Sequence, residues 1–319
     1  MADHTATEIE LARLPSGVGV ETTVHTYGTG EPVVYVQAAQ HGREINGTAV
    51  LRRLHERLLA ADLDGTVIAV PVADPLTFDR VSYTTLERFD SVNPNMNRCW
   101  PGRTDGTLHE RMAAELWSYA GDADYVVDLH TGSVEMLTHT VYLQGDADCR
   151  RLAEAFGTDL LLAEPAGDDA DDEWDDRDFA GKFRVAATRE GIPAITPELA
   201  HNKQIVEDAV ETGVAGTLRV LREVDVLDDD EAVPIWDGIR ARNHLGRVRA
   251  DEAGLFRVDP SLDVGDEVSA GERVGEVFDP TSYERLQTAT AERAGLVYSV
   301  TREATVTAGQ TLVGVATRL

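Results

Sequence analysis

The chain has 319 residues, of which 42% are apolar, so one large domain, or a large and a small one, can bury an ample core without disulfide bonds. No apolar run approaches the roughly 20 residues that cross a bilayer, and the first residues lack the basic start and apolar stretch of a secretory signal, which predicts a cytoplasmic protein with no membrane partner. The 29 Lys and Arg against 57 Asp and Glu give a net charge of −28, which argues against nucleic acid as a partner.

The first clear elements lie near the amino terminus. A β-branched run over residues 33–38 predicts a strand, and an amphipathic stretch over residues 45–59 predicts a helix. The polar sequence Gln40-His41-Gly42-Arg43-Glu44 stands between them. A second strand is predicted over residues 66–72, and the long polar, proline-containing segment after it indicates a functional loop.

Strands and helices alternate further along the chain. Helices are predicted over residues 108–119, 150–156, 182–190 and 204–223, and strands over residues 125–129, 159–163 and 192–198. This alternation predicts an α/β fold with a mostly parallel or mixed central sheet flanked by helices. Ligands of such sheets bind beyond the carboxyl ends of the strands. Because His41, His130 and Glu198 lie at or near such ends, we expect them to share one site.

The composition changes near residues 227–234, a charged segment that ends in a proline. Short β-like runs separated by glycines follow it, which predicts a catalytic domain over residues 1–230 and a small all-β barrel or sandwich over residues 235–319. This order of glycine turns and short strands resembles that of biotinyl and lipoyl carrier domains, but no lysine follows Lys203 to carry such a group. We therefore expect the carboxy-terminal domain to pack on the catalytic domain and to shape its entrance.

Acidic side chains dominate the whole length of the chain. Lys182 and Lys203 are the only lysines, a pattern typical of halophilic proteins. A Gly- and Asp-rich run over residues 164–178 adds to the acidity. Its spacing does not match an EF-hand, so a solvated surface loop is favoured over calcium binding. Cys99 and Cys149 form no Cys-x-x-Cys pair, and a disulfide framework is excluded.

Three residues form a candidate metal site. His41 and Glu44 are three residues apart at a strand-to-helix junction, where one turn can direct both side chains at one point, and His130 follows a separate strand. Two imidazoles and a carboxylate with an open fourth position make a catalytic zinc site, although the same set can hold Fe(II), Co(II) or Mn(II). Asp128, two residues before His130, points to the same side of its strand and can orient a ligand histidine.

Glu198 is the candidate general base. A carboxylate that lies near a divalent cation and is partly shielded from water can accept a proton from the attacking water and pass it to the leaving nitrogen. Taken alone, a Glu at the end of a strand is better explained as the cap of the following helix. The assignment of Glu198 therefore depends on the other motifs, as does that of the pair His41 and Glu44, since His-x-x-Glu is common.

The polar loop over residues 90–102 is dense in amide and guanidinium groups, which suits ligand recognition. Arg98 can bind a substrate carboxylate through two parallel hydrogen bonds, and Asn97 can add another. Arg80, earlier in the same loop, can polarise the scissile carbonyl or bind a second carboxylate. In a chain of net charge −28, local arginines would attract an anionic substrate. Pairing with neighbouring acids is the alternative, above all for Arg80.

Four motifs fall in order along the chain: His41-Gly-Arg-Glu44, Asn97-Arg98-Cys-Trp-Pro-Gly, Asp128-Leu-His130-Thr-Gly and Thr196-Pro-Glu198-Leu. Together they resemble the succinylglutamate desuccinylase/aspartoacylase family, a branch of the zinc carboxypeptidase superfamily. The resemblance implies a zinc carboxypeptidase-like fold with a carboxy-terminal β-domain. It also implies one Zn²⁺ per chain on His41, Glu44 and His130, with Glu198 as the general base and Asn97 and Arg98 as the clamp for a substrate carboxylate.

Two positions depart from the pattern of that family. Trp100 stands where the family motif has Phe, and Asp74-Pro75 stands where an Asn-Pro turn is expected. Both departures bear on the substrate rather than on the metal.

The sequence thus predicts a zinc-dependent amidohydrolase for linear amides, which releases a carboxylate and an amine from an N-acyl amino acid or a similar small anionic molecule. The alternatives are a carboxypeptidase-like metallopeptidase, an N-acetyl-diaminobutyrate deacetylase of solute metabolism, and a catalytically inactive homologue that binds a small molecule. The intact Glu198 argues against the inactive homologue. The acyl group, the amino acid and the formation of homo-oligomers stay open at this point.

Overall fold

The chain folds around one large β-sheet. A computed structural model describes residues 3–132, 135–165, 174, 178–229, 231–302 and 305–319. Most of the acidic run over residues 164–178 lies outside the described residues, so its interpretation as a surface loop stays a prediction.

Seventeen strands are found in the described residues. They are β1 (His4–Arg13), β2 (Gly19–Gly28), β3 (Val33–Ala38), β4 (Thr66–Val70), β5 (Tyr125–Gly132), β6 (Glu135–Met136), β7 (His139–Leu143), β8 (Leu160–Glu164), β9 (Ala194–His201), β10 (Ile239–Arg249), β11 (Gly254–Val258), β12 (Glu267–Val268), β13 (Arg273–Phe278), β14 (Arg285–Thr290), β15 (Gly295–Val300), β16 (Thr305–Val306) and β17 (Thr311–Arg318).

The large sheet is mixed. Its order is β1-β2-β4-β3-β5-β9-β7-β8-β10-β17-β15-β12, with β6 paired to β15. The four central strands β4, β3, β5 and β9 are parallel to one another. β7 is antiparallel to β9, and parallel pairs then join β7 to β8 and β8 to β10. The predicted mixed central sheet is therefore confirmed.

Helices cover both faces of this sheet. They are α1 (Asn46–Ala60), α2 (Pro75–Phe78), α3 (Leu108–Ala120), α4 (Ala147–Phe156), α5 (Phe183–Arg189) and α6 (Glu207–Glu223). α1, α4 and α6 share one apolar core with the sheet, while α3 and α5 contribute to a second core on the opposite face. This two-sided cover confirms the predicted α/β architecture.

The sequence of each element explains where it lies. On β3, Val34 and Val36 pack into the first core and Tyr35 into the second, as the alternation of side chains along a strand requires. α3 begins at a capping box formed by Thr107 and Glu110, which satisfies backbone N–H groups that the helix itself leaves free. These local signals are also why the helices of this region are predictable from sequence.

The described elements from residue 239 onward are all strands. Four of them form a separate antiparallel sheet in the order β14-β13-β11-β16. The others continue the large sheet, because β10 pairs in parallel with β8. The predicted carboxy-terminal β structure is confirmed, while the boundary near residues 230–235 stays a prediction. Among the described helices none is both long and apolar enough to span a membrane.

Candidate active site

The three predicted metal ligands lie at the carboxyl ends of adjacent parallel strands. His41 follows β3, Glu44 lies just before α1, and His130 lies on β5, which pairs with β3. The three residues are buried, and one ligand atom from each lies within 4.8 Å of the others. The structure therefore brings together the residues that the sequence motifs select.

Both imidazoles face the same carboxylate with the same ring nitrogen. Nδ1 of His41 is 2.9 Å from Oε1 of Glu44, and Nδ1 of His130 is 2.9 Å from Oε2 of Glu44. On the far side of the first ring, Nε2 of His41 is 3.0 Å from Oδ1 of Asn95. On the far side of the second, Nε2 of His130 is 2.9 Å from Oδ2 of Asp128. Because these two oxygens are acceptors, each neutral ring can donate outward through Nε2 and keep its Nδ1 lone pair for the cluster. Nε2 of Gln40, which donates to Asp128, also lies 3.4 Å from Nε2 of His130.

This arrangement requires positive charge beside Glu44. Two imidazole lone pairs directed at a carboxylate repel it unless protons or a metal cation lie between them. Burial acts to lower the pKa of His130, but the carboxylates of Asp128 and Glu44 raise it well above its usual range. Burial acts to raise the pKa of Glu44, but His41 and His130 hold it far below its usual range. The donor set therefore fits a divalent transition metal, which would replace those protons.

Asp128 is itself held by a buried polar network. Nε2 of Gln37 and Nε2 of Gln40 donate to the carboxylate of Asp128 at 3.1 and 2.9 Å. Nε1 of Trp100 donates to Oε1 of Gln40 at 2.7 Å. All four residues are buried. The network fixes the orientation of Asp128 and, through it, that of the His130 ring.

Glu198 lies beside this cluster. It is opposite His130 in the parallel pairing of β9 with β5, is half-buried and lines the same cavity as the three ligands. Burial raises the pKa of Glu198 to about 7, an effect that His130 opposes and that Glu44 and Asp128 reinforce. A carboxyl group with a pKa near 7 can both accept and donate a proton at neutral pH.

Asn97 and Arg98 lie on a 3-10 turn at the wall of the cavity. Oδ1 of Asn97 accepts a hydrogen bond from the backbone nitrogen of Phe183 at 2.8 Å, so the amide N–H groups of Asn97 are the part left for a ligand. The guanidinium carbon of Arg98 is 5.1 Å from the ring centroid of Phe179, and Nη1 donates to the backbone oxygen of Asn97 at 2.5 Å. Both predicted binding residues therefore reach the cavity.

The structure does not bring Arg80 to this site. Arg80 follows α2, is exposed, and is not among the described residues that line the cavity. Its backbone nitrogen donates to the carbonyl oxygen of Thr77 at 3.2 Å, which fixes the turn that ends α2. A role of Arg80 at the scissile carbonyl would require this loop to move, and it stays a prediction.

A second charged cluster in the cavity is missing from the sequence-based prediction. Its centre is Glu164, a buried residue at the carboxyl end of β8. Nζ of Lys182 is 2.7 Å from Oε1 of Glu164, Arg184 pairs with Oε2, and Nε2 of His244 is 3.3 Å from Oε1. The one available signal was the rarity of lysine, since Lys182 is one of two in the chain. Nothing in the sequence pairs it with Glu164.

The pKa values of this second cluster follow from burial and charge. Burial acts to raise the pKa of Glu164, but Lys182 and Arg184 hold it well below its usual range. Burial lowers the pKa of Lys182 to about 8, against the attraction of Glu164. Burial lowers the pKa of His244 to about 4, so its imidazole is neutral near pH 7.

The cavity suits a small molecule with a negative charge. Its volume is about 210 Å³. The described residues of its lining include four cationic side chains, those of Arg98, Lys182, Arg184 and Arg247. The lining also contains four carboxyl side chains, those of Glu44, Asp128, Glu164 and Glu198, so the cations offset the acidity of the cavity wall in a chain of net charge −28. A carboxylate that enters can bind these cations, while the candidate metal site and Glu198 face the same space.

Comparisons with known proteins agree with this geometry. The family model of the succinylglutamate desuccinylase/aspartoacylase catalytic domain matches residues 31–224, which include the three metal-site residues, Asn97, Arg98 and Glu198. The N-alpha-acetyl-L-2,4-diaminobutyric acid deacetylase of Halomonas elongata is 28% identical over 94% of this chain and 86% of its own length.

Solved structures share the fold over the full length. A product-bound structure of the ectoine utilization protein EutE (DoeB) from Ruegeria pomeroyi is 22% identical, covers 99% of this chain and 95% of its own, and has a TM-score of 0.83. A succinylglutamate desuccinylase/aspartoacylase from Rhodobacter sphaeroides is 23% identical, covers 99% and 96% of the two chains, and has a TM-score of 0.83. These similarities extend through the carboxy-terminal strands.

Proposed function

The chain belongs to the succinylglutamate desuccinylase/aspartoacylase family, and on that premise we propose that it hydrolyses the amide bond of an N-acyl amino acid or a similar small molecule with one zinc ion per chain. His41, Glu44 and His130 would hold the ion. The observation that carries the proposal is the pair of Nδ1 atoms, each 2.9 Å from an oxygen of Glu44, with acceptors on both Nε2 atoms. Protons on the two Nδ1 atoms, or a metal cation that replaces them, make that arrangement favourable.

Zinc, when bound, supplies Lewis acidity toward the scissile carbonyl and toward water. Glu198 accepts the proton of the attacking water and then donates it to the leaving nitrogen. Burial raises the pKa of Glu198, which favours uptake of the proton, and the nearby cation favours its release to the leaving nitrogen. Asp128 holds the His130 ring in one orientation, so the ligand nitrogen does not rotate away from the site.

Cations at the cavity wall would bind the substrate carboxylate. Arg98 can form two parallel hydrogen bonds to it, and an amide N–H of Asn97 can add another. Lys182 and Arg184 both pair with Glu164, which holds them in place. We assign the carboxylate clamp to Arg98 and Asn97 because the motif of the family places those two residue types together at the cavity wall.

A second, narrower candidate is the deacetylation of Nα-acetyl-2,4-diaminobutyrate. The similarity to the deacetylase of Halomonas elongata, 28% identical over 94% of the chain, favours it. A carboxypeptidase-like peptidase and an inactive binding protein are the competing functions. The candidate enzymes act on different substrates and the binding protein releases no product, so one assay distinguishes them.

The assay measures release of free amine at high KCl from a panel of N-acetyl and N-succinyl amino acids that includes Nα-acetyl-2,4-diaminobutyrate, with dipeptides as peptidase substrates. Each substrate is tested with zinc and after removal of the metal with a chelator. We expect turnover of at least one N-acyl amino acid that the chelator abolishes and zinc restores. Release of amino acids from dipeptides alone, or binding without turnover of any substrate, would contradict the proposal.

The Glu198→Gln variant tests the general base. The amide keeps the size of the side chain but cannot take up the proton, so we expect unchanged zinc content and a loss of about 100- to 10,000-fold in kcat. Glu115→Gln, an exposed substitution on α3, is the matched control and is expected to leave kcat unchanged. A Glu198→Gln variant with the kcat of the unmodified protein would remove the assignment.

A further inference from the structure

A second group of histidines lies away from the cavity, where the amino-terminal hairpin meets α1. In the antiparallel pairing of β1 with β2, His4 is opposite Tyr27 and Ala6 is opposite His25. Because residues two apart on a strand project to the same face, His25 and Tyr27 share a face with His4. His55 lies on α1, which packs on that face together with Tyr27 in one apolar core.

The ring nitrogens of these histidines converge. One ligand atom from each of His4, His25 and His55 lies within 4.8 Å of the other two. Nε2 of His4 is 3.1 Å from Nδ1 of His25. Two donors of one tetrahedral zinc ion are about 3.3 Å apart, given Zn–N bonds of about 2.0–2.1 Å. The rings of His4 and His25 are thus already spaced as two ligands of a single ion.

The ring of His55 is held in place by a buried hydroxyl. Nδ1 of His55 is 2.8 Å from Oη of Tyr27, and Tyr27 is only 2% exposed. When Nδ1 carries the proton and donates to this hydroxyl, the other ring nitrogen keeps the lone pair that a metal needs. The ring of His55 meets those of His4 and His25 edge-on, with centroids 5.1 and 5.8 Å apart.

We propose that His4, His25 and His55 form a second metal site, separate from the site of His41, Glu44 and His130, for a divalent transition metal of the class that imidazole prefers, with zinc as the reference ion. All three histidines are partly exposed, so water can occupy the fourth position. No carboxylate or thiolate joins the group among the described residues. Ca²⁺ and Mg²⁺ prefer oxygen ligands, so neither is the ion that this site would select.

The protonation of the cluster supports this assignment. Burial lowers the pKa of His4, and the nearby His55 lowers it further. Burial lowers the pKa of His25 as well, with His4 and His55 acting in the same direction. Imidazoles with lowered pKa values are neutral at pH 7, and the neutral form is the one that binds a metal.

An ion at this place would connect the hairpin to α1. Two of the ligands lie on β1 and β2, at the edge of the large sheet, and the third lies on the helix. His55 is nine residues beyond the first residue of α1, or about 14 Å along the helix axis, while Glu44 lies just before that first residue. The same helix thus joins both metal sites, and we expect the second one to stabilise the fold.

The test counts zinc ions per chain in the full-length protein. The protein is stripped with a chelator, reloaded with zinc chloride, passed through gel filtration and measured by mass spectrometry for metal and protein. We expect about two ions per chain in the unmodified protein and about one in His4→Gln and in His55→Gln. His201→Gln, which removes a histidine outside both groups, is the matched control and is expected to keep about two.

A second measurement, of the melting temperature, tests the proposal if His4→Gln or His55→Gln folds too poorly for its zinc ions to be counted. In a His130→Ala background, which removes a ligand of the first site, zinc is expected to raise the melting temperature, and this rise is expected to vanish when His55→Gln is added. A zinc count that is the same in the unmodified protein, in His4→Gln and in His55→Gln would overturn the proposal. A zinc-dependent rise in melting temperature that survives His55→Gln would do the same.

Discussion

Single residues decide how the two imidazoles of the proposed metal site are held. His41 is oriented by an amide oxygen, that of Asn95, while His130 is oriented by the carboxylate of Asp128. The negative charge of Asp128 acts to raise the pKa of the His130 ring, and Glu44 acts in the same direction. Gln40 bonds both oxygens of Asp128, and Trp100 in turn bonds Gln40. The orientation of His130, a proposed metal ligand, thus depends on Trp100 of the polar loop over residues 90–102.

Trp100→Phe tests this dependence. Phenylalanine fills most of the space but cannot donate, so it leaves the buried Oε1 of Gln40 without its hydrogen bond. The loss of such a bond costs about 1–3 kcal/mol. We expect Trp100→Phe to lower the free energy of unfolding by that amount and to weaken zinc binding, as measured by chemical denaturation and by competition with a chelator.

Trp117→Phe is the matched control for that change. Trp117 lies on α3 in the same apolar region as Trp100, but its indole nitrogen makes no hydrogen bond to the described residues. The same exchange of side chains there removes bulk alone, so zinc affinity is expected to stay unchanged. Equal effects of the two substitutions on zinc affinity would show that the bond from Trp100 to Gln40 has no part in holding Asp128.

At the level of single residues, the sequence predicts only part of the site. His41, Glu44, His130 and Glu198 are recognisable because each lies beside a strand end that local patterns already reveal. The group around Glu164 is not, because its partners come from a helix start and from a later strand, and their approach depends on how the sheet closes. The role of Arg80 stays a prediction, since Arg80 is not among the described residues that line the cavity.

At the level of elements, the turn after β3 is packed tightly against α2. A Cβ atom at Gly42 would lie 2.0 Å from the carbonyl carbon of Thr77, so no other residue fits without movement of the backbone. The backbone N–H of Gly42 also donates a hydrogen bond to Oγ1 of Thr77 at 3.1 Å. The turn that carries His41 and Glu44 is therefore positioned by α2.

Gly42→Ala is expected to displace this turn. The overlap with backbone atoms cannot be relieved by a side-chain rotation, so we expect a loss of about 1–3 kcal/mol in the free energy of unfolding, together with weaker zinc binding. Thermal unfolding and zinc titration of the stripped protein measure the two effects.

Gly19→Ala is the matched control for Gly42→Ala. A Cβ atom at Gly19 would approach only the ends of the side chains of Glu10 and Glu21, at 2.8 and 2.9 Å, and both can rotate away. Zinc affinity is expected to be normal in this control. An unchanged zinc affinity in Gly42→Ala would contradict the role of α2 in positioning the ligands.

Elements with a strong local pattern are the ones that the sequence predicts. α1, α3 and α6 agree with their predicted ranges within a few residues, because each carries a regular apolar face. The hairpin of β1 and β2 is not predicted, since most side chains of β1 are exposed and no alternation marks it. β7 also escapes prediction, and its antiparallel place beside β9 depends on a long-range pairing.

At the scale of the whole molecule, charge repulsion dominates the surface. Even if each of the 29 basic residues paired with an acid, 57 − 29 = 28 acidic residues would remain unpaired. Exposed ion pairs contribute at most about 1 kcal/mol each. Salt weakens both repulsion and ion pairs, so the direction of its effect on stability shows which of the two prevails.

We expect KCl to stabilise the protein. The Debye length falls from about 10 Å at 0.1 M to about 3 Å at 1 M, which screens repulsion among the excess carboxylates. The melting temperature is therefore expected to rise with KCl, by about 2–4 °C for each kcal/mol of repulsion removed. NaCl at the same ionic strength serves as the control for a specific effect of potassium. A melting temperature that stays constant or falls would show that ion pairs outweigh repulsion.

The most direct test of the account is anomalous diffraction at the zinc absorption edge from crystals of the zinc-loaded protein. The account predicts a peak about 2.0–2.2 Å from Nδ1 of His41, Nδ1 of His130 and an oxygen of Glu44. A fully loaded crystal without a peak at bonding distance from those three atoms would contradict it.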